Sequence, residues 1–311
     1  MPVIIVTDSA ADIPSTIVKE LGIRVVPAYV NFGAKSYRDG IDISCDELYD
    51  RLVNGTIQPS TSQATPIDFA KVYQELSKET DEIISIHMSG KFSGTYGSAL
   101  EGKKLADTKV NITVIDSGTI TMALGIIAMS AARLALRDEQ LTGIMDDIQD
   151  GIKNTRLQGT FDTKKYLARG GRIGKGKALL GSVLNVKPVV TIRDGAISPV
   201  GNFRTHTKAV NKLFEFVNGA SDVKELVMLY TTTPDEAQSL RDRLVSFVDS
   251  DRLHIARLGP AIGVHTGPGT LVLVMRTGSA KTEPIDTSPT PLIKKQLLRL
   301  PKMNLPSRRQ V

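Results

Sequence analysis

The stretch EIISIHM-SGKFSG-TYGSALEGKKLA (82–106) decides the fold. Its first seven residues are a short apolar run with the character of a buried strand, and its last twelve carry helix-forming residues. Between them lies a turn of small and hydroxyl residues. A strand that passes through such a turn into a helix is the repeating unit of a parallel sheet. The same grammar recurs on both sides. VIIVTD (3–8) and VNITVID (110–116) read as strands that end in Asp, and TITMALGIIAMSAARLAL (119–136) reads as a helix buried all round. Further helices are expected at Pro14–Leu21, with Asp12 near its start as a cap, after Ser44, and after Pro66. IRVVPAYVNF (23–32) and AKSYRDGIDI (34–43) read as extended segments, and TIQPSTSQATP (56–66) as a loop.

The second half reads differently. A helix from Leu141 leads into LQGTFD. VKPVVTI and AISPVGN flank Asp194-Gly195, a strong hairpin signal. Helices from His206 and from Pro234 to Val248 alternate with strands ELVMLYT, RLHIARLG and TLVLVMR. The expected organisation is an α/β protein of two domains. The first, 1–158, has a mainly parallel sheet flanked by helices, and the second, 159–278, is α+β with a mixed or antiparallel sheet. Residues 279–311 form a basic, proline-rich tail, read as disordered, in which 293–300 could form a short amphipathic helix on contact.

Composition narrows the function. The chain has 311 residues, 41% hydrophobic and 23% charged, enough to bury a core without staples. One cysteine, Cys45, excludes a disulfide framework or a cysteine-rich zinc module and fits a reducing cytoplasm. No signal peptide or membrane span is read, since the apolar run 122–132 is too short. The net charge is +6, but residues 281–311 hold seven Lys/Arg against two acids, leaving the body near +1. A near-neutral body argues against a nucleic-acid-binding face. From Thr163 to Arg193 there are eight Lys/Arg and no acid. Within it, GRIGKGKA (171–178) matches a P-loop spacing. It has Ala178 where the magnesium-holding hydroxyl belongs, and it follows a helix, so it reads as a basic surface.

Three segments place small polar residues where a parallel sheet holds its ligands: TDSAAD (7–12), SGKFSGTYGSA (89–99) and DSGT (116–119). In the second, Ser93, Gly94 and Thr95 stand at a strand-to-helix turn whose free N–H groups suit an anion. The plainer alternative is that Ser93 only caps its helix. STSQATP (60–66) adds further hydroxyls. Among the histidines, His87 and His254 fall in strands and read as structural. His265 lies in VHTGPGT (264–270), which reads as a tight loop. No histidine has metal-ligand spacing. A hydrolase built from Ser93, His265 and Asp8 is conceivable, without a G-x-S-x-G elbow to support it.

Taken together, TDSAAD (7–12), TSQATP (61–66), SGKFSGTYGSA (89–99), YLARGGRI (166–173), LNVKP (184–188), GNFRTHTKA (201–209) and HTGPG (265–269) resemble the DegV family in order and spacing. These are bacterial fatty-acid-binding proteins that include the carrier subunits of a fatty-acid kinase system. The resemblance implies one long-chain fatty acid held between the two domains, with no cofactor, metal or catalytic residue of the carrier's own. It places the carboxylate on Thr61, Ser62, Ser93, Gly94 and His265, with Arg169 nearby. It also implies a separate ATP-using kinase subunit that feeds phospholipid synthesis, for whose docking Arg172, Arg204 and Lys208 are the candidates. The tail lies outside the family pattern, and its charge would suit transient contact with a membrane surface. The competing reading is an acyl esterase using Ser93 and His265. Ala64, Phe92 and Gly97 depart from common family residues, and Phe92 could alter the mouth.

Overall fold

The computed structural model describes residues 3–172 and 186–278. Most of GRIGKGKA, part of LNVKP and the whole tail 279–311 lie outside the described residues. In chain order the first elements are β1 (Ile4–Asp8), α1 (Ser15–Glu20), β2 (Arg24–Val26), β3 (Tyr29–Phe32), β4 (Lys35–Arg38), α2 (Cys45–Asn54) and β5 (Ser60–Ser62). There follow α3 (Pro66–Leu76), β6 (Glu82–His87), α4 (Thr95–Leu105), β7 (Asn111–Asp116), α5 (Met122–Ala135) and α6 (Leu141–Asn154). The remainder is β8 (Thr155–Thr160), α7 (Lys165–Gly170), β9 (Lys187–Arg193), β10 (Ala196–Phe203), α8 (His206–Asn218), β11 (Val223–Tyr230), α9 (Pro234–Leu244), β12 (Leu253–Arg257), α10 (Pro260–Thr266) and β13 (Leu271–Thr277).

Three sheets result. A four-stranded parallel sheet has the order β2-β1-β6-β7. A six-stranded mixed sheet has the order β10-β9-β8-β13-β11-β12, with only β11 and β12 parallel. A small antiparallel sheet has the order β4-β3-β5. The fold is therefore α/β, with a helix-flanked parallel sheet and a second, mixed sheet.

The apolar run at 122–132 explains how the sheets join. In α5 every residue but Arg133 is buried. One side packs on Ile5, Ile84 and Ile86 of the parallel sheet, and the same cluster takes in Leu157, Val227, Leu229, Val272 and Val274 of the mixed sheet. A helix apolar all round needs a sheet on two sides, and here it has both. The opposite face of the parallel sheet packs on α3 and α4 through Phe69, Tyr73 and Ala99. The opposite face of the mixed sheet packs on α8 and α9 through Leu213 and Leu240.

Several details depart from the sequence reading. α1 is shorter than expected and takes no cap from Asp12, whose carboxylate is used elsewhere. The segment 34–43 is extended only to Arg38 and then turns, closed by Asp42 accepting from the Arg38 backbone and guanidinium. The loop 56–66 contains β5. α9 stops at Leu244 rather than Val248. His265 sits in the last turn of α10, not in a loop. That helix is too short and too glycine-flanked to show a helical period. The Asp194-Gly195 hairpin forms as read, with φ of 51° and 73°. Those left-handed conformations are what the Asp-Gly pair supplies at little cost.

Candidate functional site

The carboxyl ends of the parallel strands open toward the mixed sheet, and a cavity of about 260 Å³ lies between them. Its walls come from alternate residues of the mixed sheet. Leu157 and Phe161 of the β8 segment, Val190 and Ile192 of β9, and Ile197 of β10 share one face with Val272 of β13. Leu167 of α7 and Phe92 of the β6–α4 turn extend this apolar part. Thr61, Ser62, Gln63, Ser93, Thr95 and His265 bring polar groups to the same cavity. Arg172 is the one cation among the described lining residues.

β5 pairs with β3 at the edge of the small sheet, with Thr61 opposite Val30. Thr61 Oγ1 lies 2.7 Å from His265 Nε2, across 204 positions of sequence. The other ring nitrogen of His265 is buried and unpartnered. Burial, with the charge of Arg172 second, holds the His265 imidazole down to about 4, so it is neutral at pH 7. Ser93 does not occupy the cap position, which falls to Gly94. The Ser93 hydroxyl instead shares a 2.8 Å hydrogen bond with Thr95 Oγ1 and accepts weakly from the Thr95 N–H. Gly94 stands against Gln63, whose amide would collide with a Cβ placed there. Gln63 in turn donates to Ser98 Oγ, and Asn31 donates to Ser62 Oγ.

The helix that presents His265 is fixed from the first half of the chain. Asp12 accepts from the Gly259 N–H at 3.0 Å and from the Thr121 hydroxyl. Asp39 accepts from the Ala261 N–H at 3.2 Å. Tyr49 donates to the Leu258 carbonyl at 2.8 Å. Burial pushes the Asp39 carboxyl up to about 6 and the Asp12 carboxyl well above its usual range.

The structure thus gathers Thr61, Ser62, Ser93 and His265 around one cavity, with Gly94 beside them and Arg172 at the lining. Arg169 turns away from the lining and donates to Gln58 Oε1 at 2.6 Å. Arg204 and Lys208 are exposed, at the end of β10 and the first turn of α8. Asp8 is not a partner of His265. It pairs with the buried His87 at 3.0 Å, and His87 Nε2 reaches Ser85 Oγ at 2.7 Å. Gln63, Thr121 and the hold of Asp12 and Asp39 on the start of α10 were not read from sequence. Gln63 belongs to a motif already in view, whereas nothing near Asp39 signals a partner 222 positions away. Among the described residues no cluster of His, Cys, Asp or Glu is placed to hold a metal, and no helix is long and apolar enough to cross a membrane.

Neutral donors at an apolar cavity suit an amphiphile whose head is an anion and whose body is hydrocarbon. The fold and this cavity define a class: α/β proteins with an interior apolar site between a parallel and a mixed sheet. The matching family model, described as an uncharacterised protein family, DegV, spans residues 2–277. The chain belongs to the DegV family. It is 36% identical over 267 residues to a DegV domain-containing protein of Caldanaerobacter subterraneus, covering 85% of this chain and 95% of that one. A fatty-acid-binding DegV-family protein of Thermus thermophilus superposes with a TM-score of 0.82 at 32% identity, over 89% of this chain and 100% of that one. DegV of Bacillus subtilis, a fatty-acid-binding protein, gives a TM-score of 0.82 at 27% identity, over 89% and 100%.

Proposed function

We propose that this protein binds one long-chain fatty acid, carboxylate at Thr61, Ser93 and His265, acyl chain along the walls formed by the mixed sheet. The observation that carries this reading is the Thr61–His265 pair at the polar end of a largely apolar cavity. Each buried methylene contributes about 0.8 kcal/mol, so about twelve give on the order of 10 kcal/mol before the costs of association. The buried carboxylate needs hydrogen bonds, and two hydroxyls with an imidazole supply them without a metal. Ser62 and the backbone at Gly94 border the head group in this reading, and Arg169, bonded to Gln58, lies outside the lining. Mass spectrometry of the organic extract of purified protein tests it. One fatty acid per chain is expected. Protein that is empty and takes up no added fatty acid would overturn the reading.

The bound acid is further proposed to be presented to a separate kinase. That enzyme would move the γ-phosphoryl of ATP to the carboxylate, leaving ADP and an acyl phosphate for phospholipid synthesis. Arg172, Arg204 and Lys208 would dock it, because a nucleotide-bearing partner presents negative charge. Replacing all three with alanine is expected to lower acyl-phosphate formation with the cognate kinase about ten-fold or more, beyond whatever change in fatty-acid affinity follows from Arg172, which also lines the cavity. Equal rates for the triple variant and the wild type would remove the docking assignment.

The esterase reading needs His265 to take the proton of Ser93. His265 Nε2 faces Thr61, and Ser93 shares its hydrogen bond with Thr95, so the carrier reading is the better supported. Gly170 gives a sharper probe of His265. A Cβ at Gly170 would overlap Nδ1 of the imidazole. Gly170→Ala is therefore expected to displace the ring, break its bond to Thr61 and weaken fatty-acid binding about ten-fold, the equivalent of one charge-assisted hydrogen bond. Titration with a fluorescent fatty acid reads the change directly.

A further inference from the structure

Gly159 is a costly residue where it stands. β8 has β9 on one side and β13 on the other, so Gly159 lies in the interior of a sheet. A glycine there loses packing and the most backbone entropy. Its backbone offers no reason for the choice. Gly159 is not among the glycines of positive φ, and any residue adopts its conformation. In register it pairs with Val190 on one side and Val272 on the other, and all three face the cavity. A Cβ at this position would lie 3.0 Å from Val272 Cγ2 and 3.5 Å from the Leu271 carbonyl oxygen. A methyl group thus fits if Val272 gives by a few tenths of an ångström, and a longer side chain has only the cavity to enter. The missing side chain is itself cavity volume.

We infer that Gly159, in the row Val190–Gly159–Val272, sets the bore of the acyl tunnel and with it the longest chain the protein accepts. The inference rests on the fatty-acid reading above. The hydrocarbon passes over Gly159, and a side chain there stops it. The experiment compares wild type, Gly159→Val and Gly159→Ala, each titrated with a series of saturated fatty acids of increasing chain length. Folding is monitored by circular dichroism and thermal melting. Gly159→Val is expected to bind the wild type's preferred acid about ten- to hundred-fold more weakly, while retaining shorter acids. Gly159→Ala shifts the optimum the same way by less, and decides the matter if the valine variant does not fold. Val190→Ala, which widens the same row, should move the optimum toward longer chains. Folded Gly159 variants with the wild-type chain-length profile would overturn the inference while leaving the carrier function intact. Wild-type protein that binds no fatty acid of any length would instead overturn the reading beneath it.

Discussion

Replacing Thr61 and Ser93 together with alanine is expected to weaken fatty-acid binding by about two to four orders of magnitude in a protein that still folds. Hydrogen bonds to a charged group contribute roughly 1.5–3 kcal/mol each, and each 1.4 kcal/mol is about a factor of ten. Two such bonds therefore amount to roughly 3–6 kcal/mol. Both hydroxyls lie at the cavity rather than in the packed core, so their loss leaves few buried partners stranded. The exception is informative. Thr61→Ala strips His265 Nε2 of its 2.7 Å partner, whereas Ser93→Ala touches only Thr95. Thr61→Ala should thus be non-additive with His265→Gln and close to additive with Ser93→Ala, because only the first pair shares a bond. Calorimetric titration of the two double-mutant cycles checks this. A folded Thr61→Ala/Ser93→Ala protein with wild-type affinity would place the carboxylate elsewhere. Ester hydrolysis that disappears with Ser93→Ala would turn Ser93 from a ligand group into a nucleophile.

What could be read from sequence, and what could not, divides by the distance over which information acts. The strand, turn and helix at 82–105 are set by local pattern and stand as read, as does the hairpin at Asp194-Gly195. The buried character of α5 was legible because apolarity on every side has one structural meaning. The placement of His265 in α10 was not, since seven residues between glycines show no period, and the helix is held by Asp12, Asp39 and Tyr49 from the far end of the chain. β5 was hidden for a similar reason. Ser-Thr-Ser holds one strand-favouring residue, too few to signal a strand, and pairing with β3 makes it one. The polar end of the site was visible as hydroxyl-rich motifs, because capping and ligand binding draw on the same residue types. The apolar wall was not. Leu157, Val190 and Ile197 look like any strand interior, and only the register of β8, β9 and β10 turns them toward the cavity. Gly159 acquires its meaning in the same way, once its neighbours across the sheet are known.

His265→Gln and Asp39→Asn should tilt the dependence of stability on pH in opposite directions. Burial, and then Arg172, hold His265 at about 4, while an unfolded histidine titrates near 6.5. Between those values the unfolded chain takes up a proton that the folded chain does not. This contribution is fully present above pH ~6.5 and is lost as pH falls through 4, a swing of about 3 kcal/mol. Asp39 behaves the other way. Burial raises it to about 6 against the backbone N–H of Ala261 and the hydroxyl of Ser9, which favour the charged form. Its folded form keeps a proton that the unfolded chain has released. That contribution is fully present below pH ~3.9, where an unfolded aspartate titrates, and is lost as pH rises through about 6, again about 3 kcal/mol. Asp12, raised by burial, has the sign of Asp39, and His254, lowered by burial, has the sign of His265. The two sets oppose each other in the window between pH 4 and 6. Removing His265 should leave a protein that loses stability as pH rises across that window. Removing the charge of Asp39 should leave one that loses it as pH falls. Urea midpoints measured from pH 4 to 7 would show the two curves crossing, and parallel curves would refute the assignment. The two groups act on a single helix. Asp39 holds the Ala261 N–H at the start of α10, and His265 reaches Thr61 from its last turn. The same titrations should therefore appear in ligand affinity, because whatever loosens the start of α10 moves the imidazole at its end.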